Sequence, residues 1–104
     1  MTAKSIHLIE RMNLMKPVDR DNQIYESGFW VLSEYTAQDL IDSKIYLHDS
    51  QSAPAFFGGT ILYWKKMTDG EHEGRILFTF KAESECKGFK TDSTGWAQEM
   101  KIVR

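Results

Sequence analysis

The sequence contains two strong strand signals, Thr-Ile-Leu-Tyr-Trp-Lys-Lys at residues 60–66 and Arg-Ile-Leu-Phe-Thr-Phe-Lys at residues 75–81. Both runs are rich in β-branched and aromatic residues, which favour a pleated strand over a helix. They are joined by the polar segment 68–74, Thr-Asp-Gly-Glu-His-Glu-Gly, whose two glycines are typical of a hairpin loop. The sequence therefore predicts an antiparallel β-hairpin across residues 60–81.

Further strand signals lie on both sides of this hairpin. Residues 29–32, which follow Gly28, form a compact aromatic and β-branched run that is typical of a buried central strand. Residues 44–48 and 100–103 alternate between apolar and polar side chains, as a half-buried strand does. Residues 5–12 alternate less regularly and fit a first strand or a short helix, of which we favour the strand.

One helix is predicted at residues 36–41. Thr36 can cap its first turn, and the carboxylate of Asp39, three residues later, can reach back to the cap amide. We expect this helix to end near Asp42 or Ser43. Residues 16–26 are polar and contain a proline, so we predict a loop there.

Residues 56–59, Phe-Phe-Gly-Gly, place two large side chains beside two residues that have none. This pattern suits a β-bulge or a close approach of backbones at the rim of a barrel. We count about five or six short strands and one or two short helices. Strands of this number favour closure of the sheet into a small barrel, because a barrel leaves no exposed strand edges. The predicted fold class is α+β, mostly β, as a small mixed β-barrel.

Length and charge restrict the possibilities further. A chain of 104 residues has enough residues for one hydrophobic core, so we predict a single domain over residues 1–104. Its formal net charge of −2 excludes the general basic footprint of a protein that holds duplex DNA mainly through phosphates. Nucleic acid would have to bind at a local patch.

The cysteine count and the composition of the N-terminus indicate the cellular compartment in which the protein is expected. Cys86 is the only cysteine, so no intramolecular disulfide can form, and a small domain without disulfides is typical of a reducing compartment. Residues 1–15 mix charged with apolar side chains, which predicts neither a signal peptide nor a membrane span. We therefore expect a cytoplasmic protein that does not bind a membrane.

Three segments resemble the PUA-like superfamily and, within it, the EVE domain. They are the Phe-Trp-Val-Leu-Ser-Glu run at 29–34 with Asp-Leu at 39–40, the Ile-Tyr-Leu-His-Asp-Ser run at 45–50, and the Phe-Gly-Gly-Thr-Ile run at 57–61. Their order and approximate spacing are similar to the EVE pattern, although Tyr35 stands where that family has a proline. The resemblance implies a pseudobarrel that recognises RNA or a modified base in a pocket.

The same resemblance implies which residues form the site. Trp30, Ser33, His48 and Ser50 would line the pocket, while Gly58 and Gly59 would let a ligand or a backbone approach closely. Trp64, flanked by two lysines, and Trp96, which follows a glycine, are further candidates because an aromatic ring can stack on a base.

Each candidate also has a purely structural interpretation. Trp30 in an apolar run fits a core residue, and Ser33 fits the start of a turn. His48 fits a buried histidine whose hydrogen bonds are satisfied. Gly58 and Gly59 fit a requirement of the backbone.

The sequence does not show a catalytic set, and we predict no catalytic residue, no metal site and no cofactor. Ser33, His48 and Asp49 do not form a plausible triad, because neighbouring side chains on a strand point to opposite faces. Cys86 lies between carboxylates and a lysine and fits an inert thiol. The glycine pair lacks the lysine and hydroxyl of a phosphate-binding loop.

These observations predict a non-catalytic module that binds RNA or a modified base or nucleoside in an aromatic pocket. One alternative is a small hydrolase of modified nucleosides similar to ASCH domains, for which Lys44, Lys65, Lys66 and Glu34 could supply the groups. Another alternative is a protein-interaction domain, which the surplus of aromatic residues would suit. The oligomeric state is left open.

Overall fold

The computed structural model describes residues 5–10, 15–91, 95–96 and 99–103. Over these residues the protein is mostly β, with seven strands in one sheet and one α-helix, which confirms the predicted α+β class. The elements are β1 (Ser5–Ile9), β2 (Lys16–Asp19), β3 (Ile24–Trp30), α1 (Glu34–Asp39), β4 (Lys44–His48), β5 (Ala55–Lys66), β6 (Ile76–Ala82), a 3₁₀ turn (Ser84–Cys86) and β7 (Met100–Val103).

The strands lie in the order β2-β3-β6-β5-β4-β1-β7. β1 and β4 are parallel, whereas every other neighbouring pair is antiparallel. Within the described residues β2 and β7 stand at the two ends of this order and the sheet is open. Closure into a barrel therefore stays a prediction.

One face of the sheet carries the main hydrophobic core. Alternate strand residues supply it, among them Ile45 and Leu47 of β4 and Phe78 and Phe80 of β6, because successive side chains point to opposite faces. The helix α1 covers this core with Ala37 and its C-cap residue Leu40, both fully buried. β4 lies inside the fold, since all of its residues after Lys44 are buried.

The predicted hairpin and bulge are both confirmed. β5 and β6 pair antiparallel, with Thr60 opposite Lys81. Between β4 and β5, Leu47 pairs with Phe57 and His48 pairs with Ala55, so one residue of β5 is left between the two pairs as a bulge. β5 is longer than predicted because it begins at Ala55, before the bulge.

The predicted loop at residues 16–26 was wrong. β2 occupies its first part and β3 begins at Ile24. β2 is an edge strand with β3 as its neighbour, and an edge strand tolerates a proline because the missing N–H faces away from the ladder. The proline and the polar composition, which indicated a loop, are also what a solvent-facing edge strand contains.

The central strand predicted at residues 29–32 ends earlier than expected. β3 ends at Trp30, and the side chain of Val31 is 70% exposed. The strand extends instead toward its N-terminus and pairs with β6 from Ile24 onward. The strand prediction at residues 5–12 is confirmed over residues 5–9, whereas residues 11 and 12 lie outside the described residues.

The predicted helix is present, but it spans Glu34–Asp39, two residues earlier than the predicted 36–41, and its cap is three residues earlier. Ser33, not Thr36, is the N-cap residue, and its Oγ accepts a hydrogen bond from the Thr36 amide at 3.1 Å. Glu34 then lies in the first turn, where a carboxylate favours the positive end of the helix dipole. In the part of the chain that the structure describes, no helix has the length and apolar character needed to cross a membrane.

We predict that Gly59→Ala destabilises the protein by about 3 kcal/mol, because added volume at a packed position forces backbone shifts. A Cβ at Gly59 would lie 1.9 Å from the carbonyl oxygen of Lys81, so β5 and β6 would have to separate. Urea unfolding of the purified variants measures the loss. Gly70→Ala is the control, because it adds only the cost of a left-handed backbone, about 1 kcal/mol. Equal losses in the two variants would contradict this account.

Candidate binding face

The side of β4 that faces away from the main core carries the polar and aromatic groups of the candidate site. Ile45 and Leu47 point into the core, so Lys44, Tyr46 and His48 point to the other side. We call this side the second face. It comprises Lys44, Tyr46 and His48 of β4, His7 of β1, Thr60 of β5, and Glu83, Phe89 and Trp96 from the segment that follows β6.

Two buried histidines form a hydrogen-bonded chain on the second face. His48 Nδ1 lies 2.9 Å from the carbonyl oxygen of Ala53, and His48 Nε2 lies 2.9 Å from His7 Nδ1. A carbonyl can only accept, so His48 Nδ1 carries the proton and donates to it. In a pair of neutral rings His48 Nε2 is then the acceptor for His7 Nδ1–H. This leaves His7 Nε2 as an unprotonated acceptor.

Burial holds His7 in its neutral form. The side chain is 1% exposed, and burial lowers its pKa to about 4, with further lowering by His48 and by the charge of Lys101. Lys101 lies opposite His7 on β7 and donates a hydrogen bond to Thr91 at 2.8 Å. At neutral pH His7 is therefore a neutral ring and not a cation.

A stack of rings runs from His7 toward solvent. The His7 and Tyr46 rings are stacked at 4.7 Å, and the Tyr46 and Phe89 rings are stacked at 4.3 Å. Trp96 stands edge-on to His48, with ring centroids 5.6 Å apart. His7 and Tyr46 are buried, whereas Phe89 is 43% exposed. An incoming ring can therefore reach the stack at Phe89.

Trp96 contributes a polar atom to the same region. Its Nε1 is buried and has no hydrogen-bond partner among the described residues. A buried N–H without a partner costs about 1–3 kcal/mol.

A polar cluster lies on the second face beside Tyr46. Lys44 Nζ donates to Thr60 Oγ1 at 2.9 Å, and Thr60 Oγ1 donates to Glu83 Oε1 at 3.0 Å. Lys44 also forms an ion pair with Glu83, and the two side chains are 38% and 28% exposed. The cluster therefore offers a cation, a hydroxyl and a carboxylate that solvent can reach.

The ion pair keeps both charges of this cluster in place. The hydrogen bond from Lys44 lowers the pKa of Glu83, and the same bond raises the pKa of Lys44. Cys86 lies behind the cluster, where burial and then the charge of Glu83 raise the pKa of its thiol. The thiol is thus protonated at neutral pH, which agrees with the inert role expected for it.

Of the residues that the resemblance implied, the structure brings His48 and Gly58 to the second face. Gly58 lies opposite Tyr46, and a Cβ there would lie 2.9 Å from Cβ of Cys86. Gly59 lies where β5 approaches β6. Both glycines allow a close backbone approach, as predicted.

The other implied residues lie elsewhere. Trp30 is 6% exposed in the main core, and its Nε1 donates to Ser27 Oγ at 3.2 Å. Ser33 caps α1, and Ser50 lies in the loop after β4, where its Oγ is 3.4 Å from Ser52 Oγ. Trp64 packs against the main core and donates to Gln38 of α1 at 3.1 Å. For Trp30 and Ser33 the geometry favours the structural interpretation.

Sequence reasoning did not single out His7, Tyr46, Thr60, Glu83 or Phe89 as site residues. The alternation of Lys44, Tyr46 and His48 along one strand was the available signal, because it places all three on one face. The partners come from distant parts of the chain, such as His7, which is 41 residues from His48. No local pattern connects such residues.

The comparisons with known proteins do not identify the chain, since no protein-family model, curated protein or solved structure matches it. Within residues 5–10, 15–91, 95–96 and 99–103, no group of three or more histidine, cysteine, aspartate or glutamate residues could hold a metal ion.

We predict that acid weakens the fold through His7. Its folded pKa of about 4 lies below the usual 6.5, so the unfolded chain binds more protons between these values. The contribution of neutral His7 is complete above pH 6.5 and is lost as the pH falls toward 4, with a loss on the order of 3 kcal/mol. Urea unfolding at a series of pH values measures it.

The matched variant is His7→Gln, whose amide can still donate to His48 but does not titrate. Its stability should fall less between pH 6.5 and 4 than that of the wild type. Nitrogen-detected NMR of the wild type should also show a proton on Nδ1 of both His7 and His48 at pH 7. Identical pH profiles for the two proteins would refute the role given to His7.

Proposed function

We propose that this chain is a binding module of PUA-like fold, with the closed barrel which that fold implies, and that it recognises a nucleobase in RNA or in a modified nucleoside on the second face. One observation carries the proposal: a ring stack that solvent can reach at Phe89 lies beside a polar cluster that solvent can reach. Tyr46 links the two, because it stacks under Phe89 and follows Lys44 by two residues on β4.

The two halves of the second face match the two requirements of base recognition. A base has an apolar face, and stacking it on an aromatic side chain contributes about 1–3 kcal/mol. A base also has an edge that carries hydrogen-bond donors and acceptors, and hydrogen bonds to this edge distinguish one base from another. Phe89 supplies the surface for stacking, while Lys44 donates and Glu83 accepts.

The sequence resemblance supports the same class of ligand but a different set of residues. It implied a pocket at Trp30, which lies in the main core with its N–H satisfied. His48 supports the stack from below, through His7. The proposal therefore keeps the base as ligand and assigns contact with it to Phe89, Lys44 and Glu83.

The test is a tryptophan-fluorescence titration with single-stranded RNA, single-stranded DNA and a panel of natural and modified nucleosides. Trp96 lies within the ring cluster and is expected to report occupation of the second face. We predict saturable binding of at least one ligand, weakened about tenfold by Phe89→Ala through the loss of stacking.

Tyr35→Ala is the matched control. Tyr35 is 82% exposed on α1, away from the second face, so its removal should leave both stability and binding unchanged. A flat response to every ligand, or equal affinity of the Phe89→Ala variant and the wild type, would refute the proposal.

The polar cluster favours one second candidate, a small hydrolase of modified nucleosides. Thr60 is a hydroxyl nucleophile that is hydrogen-bonded to a carboxylate, with a cation 2.9 Å from its oxygen. This function ranks second because the lowered pKa of Glu83 makes its carboxylate a weak base.

Thr60→Val separates the two functions, since it removes the hydroxyl and keeps the shape of the side chain. If the protein is a hydrolase, its turnover of a modified-nucleoside library should fall at least a hundredfold in this variant, because the nucleophile is lost. Mass spectrometry of the products measures the turnover. Binding through Phe89 should persist. Absence of turnover in the wild type would refute the hydrolase and leave the binding module.

A further inference from the structure

The side of the sheet that carries the second face continues past Thr60 along β5 and onto β6. Thr60 lies opposite Lys81, and Tyr63 lies opposite Thr79. Residues that lie directly opposite each other share one face of a sheet. Thr79 and Lys81 also share a face, because Phe80 between them points into the main core. Tyr63 therefore lies on the same side of the sheet as Thr60.

Tyr63 is an exposed aromatic residue with a lysine on each side. It is 55% exposed, so a ligand in solution can reach its ring. Lys65 follows it by two residues on β5 and lies opposite Leu77, on the same side of the sheet. Lys81 is its diagonal neighbour on β6, at about 7–8 Å, which a long side chain can span. We call Tyr63, Lys65 and Lys81 the tyrosine patch.

The carboxylate nearest to this patch on β3 has an opposing lysine of its own. Glu26 lies opposite Thr79, and Lys16 of β2 lies opposite Glu26. Lys65 and Lys81 are both exposed, and within the part of the chain that the structure describes neither belongs to an ion pair. Tyr63 therefore lies between two ammonium groups that are available to a phosphate.

Toward the polar cluster the charges are mixed. The hydrogen bond from Lys44 lowers the pKa of Glu83, and the charge of Lys81 lowers it further. The same hydrogen bond raises the pKa of Lys44, and the charge of Glu85 adds to this effect. Two carboxylates therefore repel phosphate at the polar cluster, and the attraction is strongest at Lys65, which lies farther along β5.

Phe89 and Tyr63 are too far apart for a single nucleoside to contact both. Phe89 stacks on Tyr46, which lies opposite Gly58 on β5. Tyr63 follows Gly58 by five residues, so the two positions are roughly 15 Å apart at about 3.3 Å per residue. At about 3.4 Å per stacked nucleotide, this distance corresponds to about four or five nucleotides. A single strand along β5 can therefore place one base on Phe89 and another on Tyr63.

We propose that Tyr63 is a second stacking position and that Lys65 and Lys81 bind the adjoining phosphates, so that the ligand is a single strand of nucleic acid along β5 and not a free nucleoside. This inference rests on the proposed function and specifies its ligand. The polar cluster reads one base, and the tyrosine patch anchors the strand. Stacking on Tyr63 tolerates any sequence, because every base has a flat face.

The experiment measures affinity against strand length. Adenosine and uridine are compared with their oligonucleotides of two, four, six and eight nucleotides at 50 mM salt, with Trp96 fluorescence as the signal. For the wild type we expect affinity to rise about tenfold between two and six nucleotides, through the second stacked base, and then to level off. The same lengths in DNA distinguish the two sources of a strand, since only RNA offers 2′-hydroxyl groups.

Tyr63→Thr removes the ring and keeps a residue that favours a strand. It should bind the six-nucleotide strand about tenfold more weakly than the wild type and bind the nucleoside equally well. Tyr63→Phe keeps the ring and should bind both ligands as the wild type does. Phe89→Ala, by contrast, should weaken the binding of both ligands.

Lys65→Gln and Lys81→Gln test the phosphate contacts. Each should reduce the slope of log K against log salt by about 0.7 for the six-nucleotide strand, because each lysine releases counterions from one phosphate. Lys66→Gln is the matched control. Lys66 is adjacent to Lys65, but it lies opposite Ile76 of the main core and is paired with Glu34, so its loss should leave the slope unchanged.

Two outcomes would overturn the inference and leave base recognition intact. One is an affinity that does not depend on strand length while the nucleoside still binds. The other is equal affinity of Tyr63→Thr and the wild type for the six-nucleotide strand. If neither the nucleosides nor the strands bind to the folded wild type, base recognition fails and the second stacking position fails with it.

Discussion

The absence of side chains at Gly58 and Gly59 sets the spacing of three strands. A Cβ at Gly58 would lie 2.3 Å from the carbonyl oxygen of Ile45 on β4, and a Cβ at Gly59 would lie 1.9 Å from that of Lys81 on β6. The next residue, Thr60, therefore lies close enough to both neighbouring strands to contact Lys44 from β4 and Glu83 just after β6. The polar cluster thus depends on a packing constraint of the sheet.

The same constraint positions the segment after β6. Glu83 N donates to Gly58 O at 3.0 Å, which holds this segment along the start of β5. Cys86 then packs against Tyr46 and Ala55, and Phe89 reaches the ring of Tyr46. One pair of glycines thus places the polar cluster and the outer ring of the stack on one surface. Fold stability and the geometry of the candidate site cannot be changed independently at these positions.

Exposure decides the charge of each polar group on the second face. His7 is buried, and a charged ring there would lose its hydration, so it is neutral. Lys44 and Glu83 are partly exposed and paired, so each keeps its charge. The ring stack of the second face is therefore uncharged, while the polar cluster beside it is ionic. A planar ligand with a polar edge is compatible with both zones.

The local elements of this fold could be predicted from sequence, because their causes are local. The β5–β6 hairpin follows from two β-rich runs, and the bulge follows from large residues beside glycines. β2 was not predicted, since an edge strand and a loop share polar residues and proline. The cap was misplaced because Ser33 and Thr36 are both good N-cap residues, and the burial of Ala37 and Leu40 decides between them.

The candidate site was less predictable because strand order determines it. His7 and His48 come together only because β1 inserts parallel to β4, between β4 and β7. Trp30 has a sequence context similar to that of a pocket residue, yet it points into the core because β3 places it on the same face as Phe78. A family-like motif does not by itself show which residues line a site.

The gradient of exposure along the ring stack also favours binding over catalysis. His7 is fully buried beneath Tyr46 and serves to support it, so it cannot transfer a proton to or from a ligand in this arrangement. The accessible groups are the ring of Phe89 and the Lys44–Glu83 pair, whose mutual pairing lowers the pKa of the carboxylate and raises that of the ammonium. This pairing holds both groups in their charged forms. Such groups are better suited to hydrogen bonding with a ligand than to acting as a general acid or base. A base that stacks on Phe89 with its edge toward Lys44 would use each of these groups in the state that the fold imposes.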